Sequence, residues 1–106
     1  MLERRRSPRY LCSHIVDISR QDSDGYVRLG PALLEDLSRE GAGVSLESPI
    51  APGETVELMA PGLRAQAVVR YCRVRENDRQ LGLEFDVPWR WQPDLWEPDH
   101  LFLPTP

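Results

Sequence analysis

The sequence predicts a small all-β domain, an antiparallel barrel or sandwich, and three observations point there. Short segments of alternating apolar and polar residues recur as far as Phe85. Glycine and proline fall between them at turn positions. The one stretch that invites a helical reading, Ala32-Leu33-Leu34-Glu35, is too short and too close to Pro31 to sustain a helix.

Tyr10 to Ser19 is the first expected strand, carrying Leu11, Ile15, Val16 and Ile18. The polar run from Arg20 to Gly25 reads as a turn. Tyr26 to Leu37 is the second strand, bent near Gly30-Pro31, because proline removes a ladder donor and favours edges and bulges. Gly43 to Leu46 is a short third strand, and Ser48 to Gly53 a turn with two prolines. Glu54 to Ala60 alternates, with Val56, Leu58 and Ala60 facing one way. Pro61-Gly62 marks a tight hairpin. Arg64 to Arg75 is the longest strand, its alternation imperfect because Val68 and Val69 fall on opposite faces. Glu76 to Arg79 closes a turn, and Leu81, Leu83 and Phe85 line one face of a last strand.

After Val87 the alternation stops. Trp89, Trp91 and Trp96 lie among five prolines. Aromatics this dense are rarely left in water, so the tail is expected to pack across an open end of the barrel, with a helical turn at Asp94–Trp96. Left exposed, the same cluster would be a docking surface for a partner protein.

Composition narrows the function. At 106 residues and 41% apolar content the chain is one folded domain with a modest core. No apolar run reaches the ~20 residues of a membrane span. The charged N-terminus has no apolar signal core, so a cytoplasmic location is expected. Cys12 and Cys72 stand far apart in no metal or redox spacing and are expected to be buried, reduced thiols. Catalysis is not expected, since no Ser/His/Asp or Cys/His constellation is present, and Asp17, Asp22 and Asp24 lack the glycine and glutamate spacing of a metal loop. No metal or cofactor is implied.

All 13 basic residues are arginine, and the net charge is −4. Residues 1–10 hold four arginines against Glu3, a local +3, which leaves −7 on the remainder. A basic arm on an acidic body argues for one localised anion site, not for general nucleic-acid coating.

Two patterns can build such a site. Arg5-Arg6-Ser7-Pro8-Arg9 is an R-x-x-x-R. Pro8 biases Ser7 toward extended geometry, where residues four apart share a side, so Arg5 and Arg9 converge on one anion or one guanine edge. Arg4 and Arg6 sit beside them as secondary contacts. Asp36-Leu37-Ser38-Arg39-Glu40-Gly41 is a D-x-S-x-x-G. An ionised Asp36 only accepts hydrogen bonds, so it suits the N1–H and N2–H₂ edge of guanine and repels phosphate. Ser38 can donate to the ligand, and Gly41 permits a positive φ or a close approach. Each pattern has a plainer reading: a solvated basic arm, and an Asx-type turn that uses Asp36, Ser38, Gly41 and Gly43 for its own backbone. Together they supply both halves of a guanine nucleotide.

With these motifs in this order, followed by Leu81-Gly82-Leu83-Glu84-Phe85 as a closing strand, the chain resembles a PilZ domain over roughly residues 3–86. The resemblance implies a six-stranded antiparallel barrel in a bacterial cytoplasmic protein, with cyclic di-GMP as ligand. It divides the chain into a basic ligand-binding arm at 1–9, the barrel at 10–86 and the Trp/Pro-rich tail at 87–106, which matches no motif of the family. Arg5 and Arg9 would hold phosphate and a guanine edge, Asp36 the guanine donor edge, Ser38 the ligand near its phosphate or base, and Gly41 would make room. Arg4, directly before the R-x-x-x-R, is the position that accompanies a stacked ligand dimer in this family. The expected function is a non-catalytic receptor that relays cyclic di-GMP to an unidentified downstream effector. The alternatives are an interaction module of the same fold that works without nucleotide, and an oligonucleotide-binding barrel, which the acidic body opposes.

Overall fold

The structure is a computed structural model, and it describes residues 7–86 and 89–102. Among these, six strands and no helix form: β1 (Tyr10–Asp22), β2 (Gly25–Leu37), β3 (Gly41–Leu46), β4 (Thr55–Ala60), β5 (Leu63–Val74) and β6 (Arg79–Phe85). They close into a barrel in the order β1-β2-β3-β6-β5-β4, every neighbour antiparallel and β4 returning to β1. The choice between barrel and sandwich is thereby settled for the barrel, in which every strand has a paired neighbour on each side.

β1 and β2 run further than their apolar content predicts. The expected turn over residues 20–25 is mostly strand: Arg20 pairs with Val27, Gln21 with Tyr26 and Asp22 with Gly25, leaving Ser23-Asp24 as a two-residue loop. Ladder pairing is a backbone property, so polar side chains that face water do not end it. Neither Ser23 nor Asp24 has a positive φ, so the reversal is completed by Gly25, whose φ of 129° follows the loop as a bulge glycine does. The Pro61-Gly62 loop joins β4 to β5 as predicted, with Gly62 at φ 80° in the position of a type II turn that favours glycine.

Inward residues alternate along each strand. Val16, Ile18, Leu34, Val44, Val56, Leu58, Val69 and Leu81 are essentially inaccessible and fill the barrel. The alternation slips where one strand carries an extra residue. In β2 the inward residues are Leu34 and Leu37, three apart, because Glu35 bulges between the Leu34–Val44 and Asp36–Gly43 pairs. In β5 Arg70 is the extra residue between the Val69–Leu83 and Tyr71–Gly82 pairs. A bulge re-aims the side chain next to it, and both bulges turn their neighbours onto one patch of the outer wall.

Residues 89–102 cross the barrel end formed by the start of β1, the β2–β3 turn, the β4–β5 turn and the end of β6. Trp91 is 1% exposed and belongs to the core. Its ring meets Tyr10 edge-on at 5.3 Å, and its Nε1–H donates to the Trp96 carbonyl at 2.7 Å. Trp96 Nε1–H donates in turn to the Pro61 carbonyl at 3.0 Å, and Trp89 packs edge-on against Phe85. Further on, the chain runs beside β1: Ser13 N–H donates to Asp99 O, Asp99 N–H to His14 Nδ1, and Phe102 N–H to Leu11 O. The expected helical turn at Asp94–Trp96 is a single hydrogen-bonded turn one residue earlier, closed by Leu95 N–H on Gln92 O, since Pro98 follows too soon for a helix to propagate.

Candidate functional site

One row of register partners crosses the outer wall. Asp36 of β2 is paired with Gly43 of β3, Gly43 with Gly82 of β6, and Gly82 with Tyr71 of β5. Two adjacent strands with no side chain of their own at this level leave a shallow trough, into which the Asp36 carboxylate folds over Gly43 and the Tyr71 ring over Gly82. It belongs to a cleft of about 670 Å³ that also takes in Arg9, Ser38, Glu40, Gly41, Arg70 and Glu84. The cleft thus gathers Arg9, Asp36, Ser38 and Gly41 from the two sequence patterns. Arg4, Arg5 and Arg6 lie outside the described residues.

Asp36 is only 8% exposed although it faces outward, because its carboxylate folds over Gly43. A Cβ on Gly43 would stand 2.5 Å from Asp36 Oδ2, so no other residue fits there without moving the carboxylate. Gly43, expected to open the third strand and a turn residue only in the plainer reading of the motif, lies inside β3, as the seat of Asp36. Arg9, one residue before β1, brings its Nε to 3.5 Å from Asp36 Oδ1. Its side chain is 39% exposed, so the pair is a solvated contact worth well under ~1 kcal/mol.

Ser38 and Gly41 close the β2–β3 turn on each other. Ser38 N–H donates to Gly41 O at 2.9 Å, and Gly41 N–H donates to Ser38 Oγ at 3.2 Å. This is the hydroxyl turn that the plainer reading of the motif described, and it leaves Ser38 on the cleft wall. Gly41 does not have a positive φ. Its lack of a side chain serves the neighbouring strand, because a Cβ would fall 2.1 Å from the Leu83 carbonyl oxygen. The same turn is held from outside by three donors. Phe85 N–H bonds Glu40 O, Trp91 N–H bonds Arg39 O, and Ser7 Oγ donates to Glu40 Oε2 at 3.0 Å. Arm, motif turn and tail therefore meet at one place.

Among the described lining residues the carboxylates of Asp36, Glu40 and Glu84 outnumber the guanidinium groups of Arg9 and Arg70. This surface suits the donor edge of a base better than a phosphate. Beneath it Cys12 is buried, with its Sγ on Leu34 O. Burial first, then the Asp36 and Glu35 carboxylates, push its thiol up to about 12. Cys72, expected to be buried, is half-buried. Both cysteines are free, and no cluster of three metal-ligating side chains occurs among the described residues. No helix there is long and apolar enough to cross a membrane.

Cleft residues not assigned to a ligand from the sequence include Gly43 and Gly82 as floor, Arg70 and Tyr71 as wall. The signal of the wall pair was the failed alternation of β5, where Ala65, Ala67 and Val69 face inward and Arg70-Tyr71 then both face out.

No curated protein sequence matches the chain. Among solved structures it is similar to MrkH of K. pneumonia, determined as a c-di-GMP complex, with TM-score 0.63 and 18% identity over 83% of this chain and 47% of that one. It is also similar to the Bacillus subtilis inhibitor of motility MotI/DgrA, with TM-score 0.53 and 20% identity over 89% of this chain and 47% of that one. The likeness is one of fold, and the chain spans just under half the length of each. The family model described as the PilZ domain matches residues 3–89, which takes in all six strands, and the chain belongs to the PilZ domain family.

Proposed function

We propose that this chain is a non-catalytic receptor for cyclic di-GMP. The observation that carries the reading is the convergence, in one cleft, of Arg9 with Asp36, Ser38 and Gly41, which are 27 residues or more away in sequence. Asp36 accepts the guanine N1–H and N2–H₂ donors. Those donors compete with Arg9 for the same carboxylate, so binding releases Arg9 toward a phosphate or the O6/N7 edge. The phosphates need more cation than the cleft provides, and Arg5, with Arg4 and Arg6, supplies it from the arm. The acid excess of the cleft disfavours an oligonucleotide, whose affinity rests on many phosphate contacts.

The relay follows from what the motif turn touches. Ser7 of the arm bonds Glu40, and Trp91 of the tail bonds Arg39. A ligand that engages Ser38 and Arg9 acts on the turn that holds Ser7 and Trp91, and an effector protein reads the altered end of the barrel.

Titration calorimetry with cyclic di-GMP tests the proposal. Hydrogen bonds to charged groups contribute ~1.5–3 kcal/mol each, so Arg9→Ala is expected to weaken binding by about tenfold or more. A stoichiometry of two would assign Arg4 to a stacked ligand dimer. Absence of heat well above micromolar ligand refutes the receptor reading.

A further inference from the structure

We propose that Tyr71 is the residue on which the guanine base stacks. This deepens the cyclic di-GMP reading and rests on it. The ring lies on Gly82: a Cβ there would stand 2.1 Å from Tyr71 Cε2 and within 2.6 Å of two further ring atoms. The Asp36 carboxylate lies in the same way over Gly43, the register partner of Gly82. The two seats are therefore one strand spacing apart, about 4.8 Å. A base whose donor edge is hydrogen bonded to Asp36 carries its ring system across that spacing, which brings it over Tyr71.

Two further features fit a binding face better than a strand filler. The Arg70 bulge takes Tyr71 out of the inward alternation and onto the cleft, and the ring remains 39% exposed. Arg73 lies over the ring, 5.2 Å from its centroid, so the outer face already receives a planar cation. A base that stacks on that face displaces the guanidinium, which is then available to its phosphodiester. A tyrosine that only shielded Gly82 needs neither the bulge nor the exposure.

The test compares wild type, Tyr71→Phe and Tyr71→Leu by calorimetry with cyclic di-GMP, with urea unfolding of each. Base–aromatic stacking is worth ~1–3 kcal/mol. Tyr71→Leu is therefore expected to bind about tenfold more weakly, and Tyr71→Phe within about twofold of wild type. The guanine H8 resonance reports stacking directly: it moves upfield on binding to wild type and to Tyr71→Phe, and much less with Tyr71→Leu. Wild-type affinity in Tyr71→Leu, or an unchanged H8 shift there, overturns the assignment while leaving the receptor reading intact. No binding by wild type overturns both.

Discussion

Gly43→Ala tests the seat of Asp36, because its sign depends on a second residue. Gly43 lies inside β3 with a backbone that alanine adopts without strain. Replacing glycine by alanine at such a position normally stabilises by ~0.4–1 kcal/mol, since the unfolded chain loses freedom. Here the new Cβ meets Asp36 Oδ2 at 2.5 Å and Cγ at 3.1 Å, and its three nearest atoms all belong to that side chain. An ordinary contact begins near 3.4 Å, so the carboxylate must swing by about 1 Å. Overpacking of this kind costs ~1–3 kcal/mol. Gly43→Ala should therefore destabilise by a net ~1 kcal/mol and weaken the Arg9 contact at the same time.

In an Asp36→Ala background the obstacle is gone, and Gly43→Ala should stabilise by ~0.5 kcal/mol. The coupling between the two positions is then ~1.5 kcal/mol, well above the ~0.3–0.5 kcal/mol within which independent sites add. Urea unfolding followed by tryptophan fluorescence measures all four corners of the cycle. If the effect of Gly43→Ala is the same with and without the carboxylate, Gly43 is not the seat of Asp36 and the trough has been misassigned.

Gly41→Ala drives a Cβ to 2.1 Å from the Leu83 carbonyl, a backbone atom that cannot rotate away, so it should cost more than Gly43→Ala, ~3 kcal/mol by urea midpoint, and it should do so with or without Asp36. Trp91→Ala empties the capped end of the barrel and is expected to cost ~3–5 kcal/mol, a large share of a small domain's stability, visible as a lowered melting temperature. Cys12 gives a pH signature. Its folded-state value is raised from 9.0 to about 12, so the folded chain holds the proton more tightly than the unfolded one, and stability is full below pH 9 and falls as pH rises from there toward 12. Cys12→Ala should flatten that alkaline slope in pH-dependent urea titrations.

The strands and their turns were legible in the sequence because alternation and turn chemistry are local. Val56 and Leu58, or Leu81, Leu83 and Phe85, announce an inward face within a few residues. The extent of β1 and β2 was not, since Arg20 and Gln21 are held by backbone pairing that carries no side-chain signature. The acidic and hydroxyl half of the site was legible because Asp36, Ser38 and Gly41 are adjacent. The far wall was not. Tyr71 reaches the trough only through the pairing of β5 with β6, and its bulge appears in the sequence merely as spoiled alternation. Gly43 was read as the start of a strand, but its part in the cleft was hidden for the same reason: nothing nearby in sequence says that a carboxylate seven residues earlier folds back over it.

A closed barrel of this size is convex outside and filled inside, so it offers no natural cavity for a polar ligand. A concave site on its wall must come from removing side chains at the floor and raising them at the sides. Gly43 and Gly82, on adjacent strands, do the first; the Glu35 and Arg70 bulges, which tip Asp36 and Tyr71 onto the rim, do the second. Neither device favours folding. A glycine within a strand gives up ~0.5–1 kcal/mol relative to alanine, and each bulge leaves an extra residue outside the ladder. The β1–β2 ladder also shifts register, at Leu11–His14 and at Ile18–Ser19, so a bulge alone marks nothing. What barrel closure does not require is two paired strand glycines with a bulge on either side, and β4 and β5 pair without interruption from Thr55–Val68 to Ala60–Leu63. That combination gives the wall a flat, hydrogen-bonding face, which is the shape that the proposed binding of a guanine base requires.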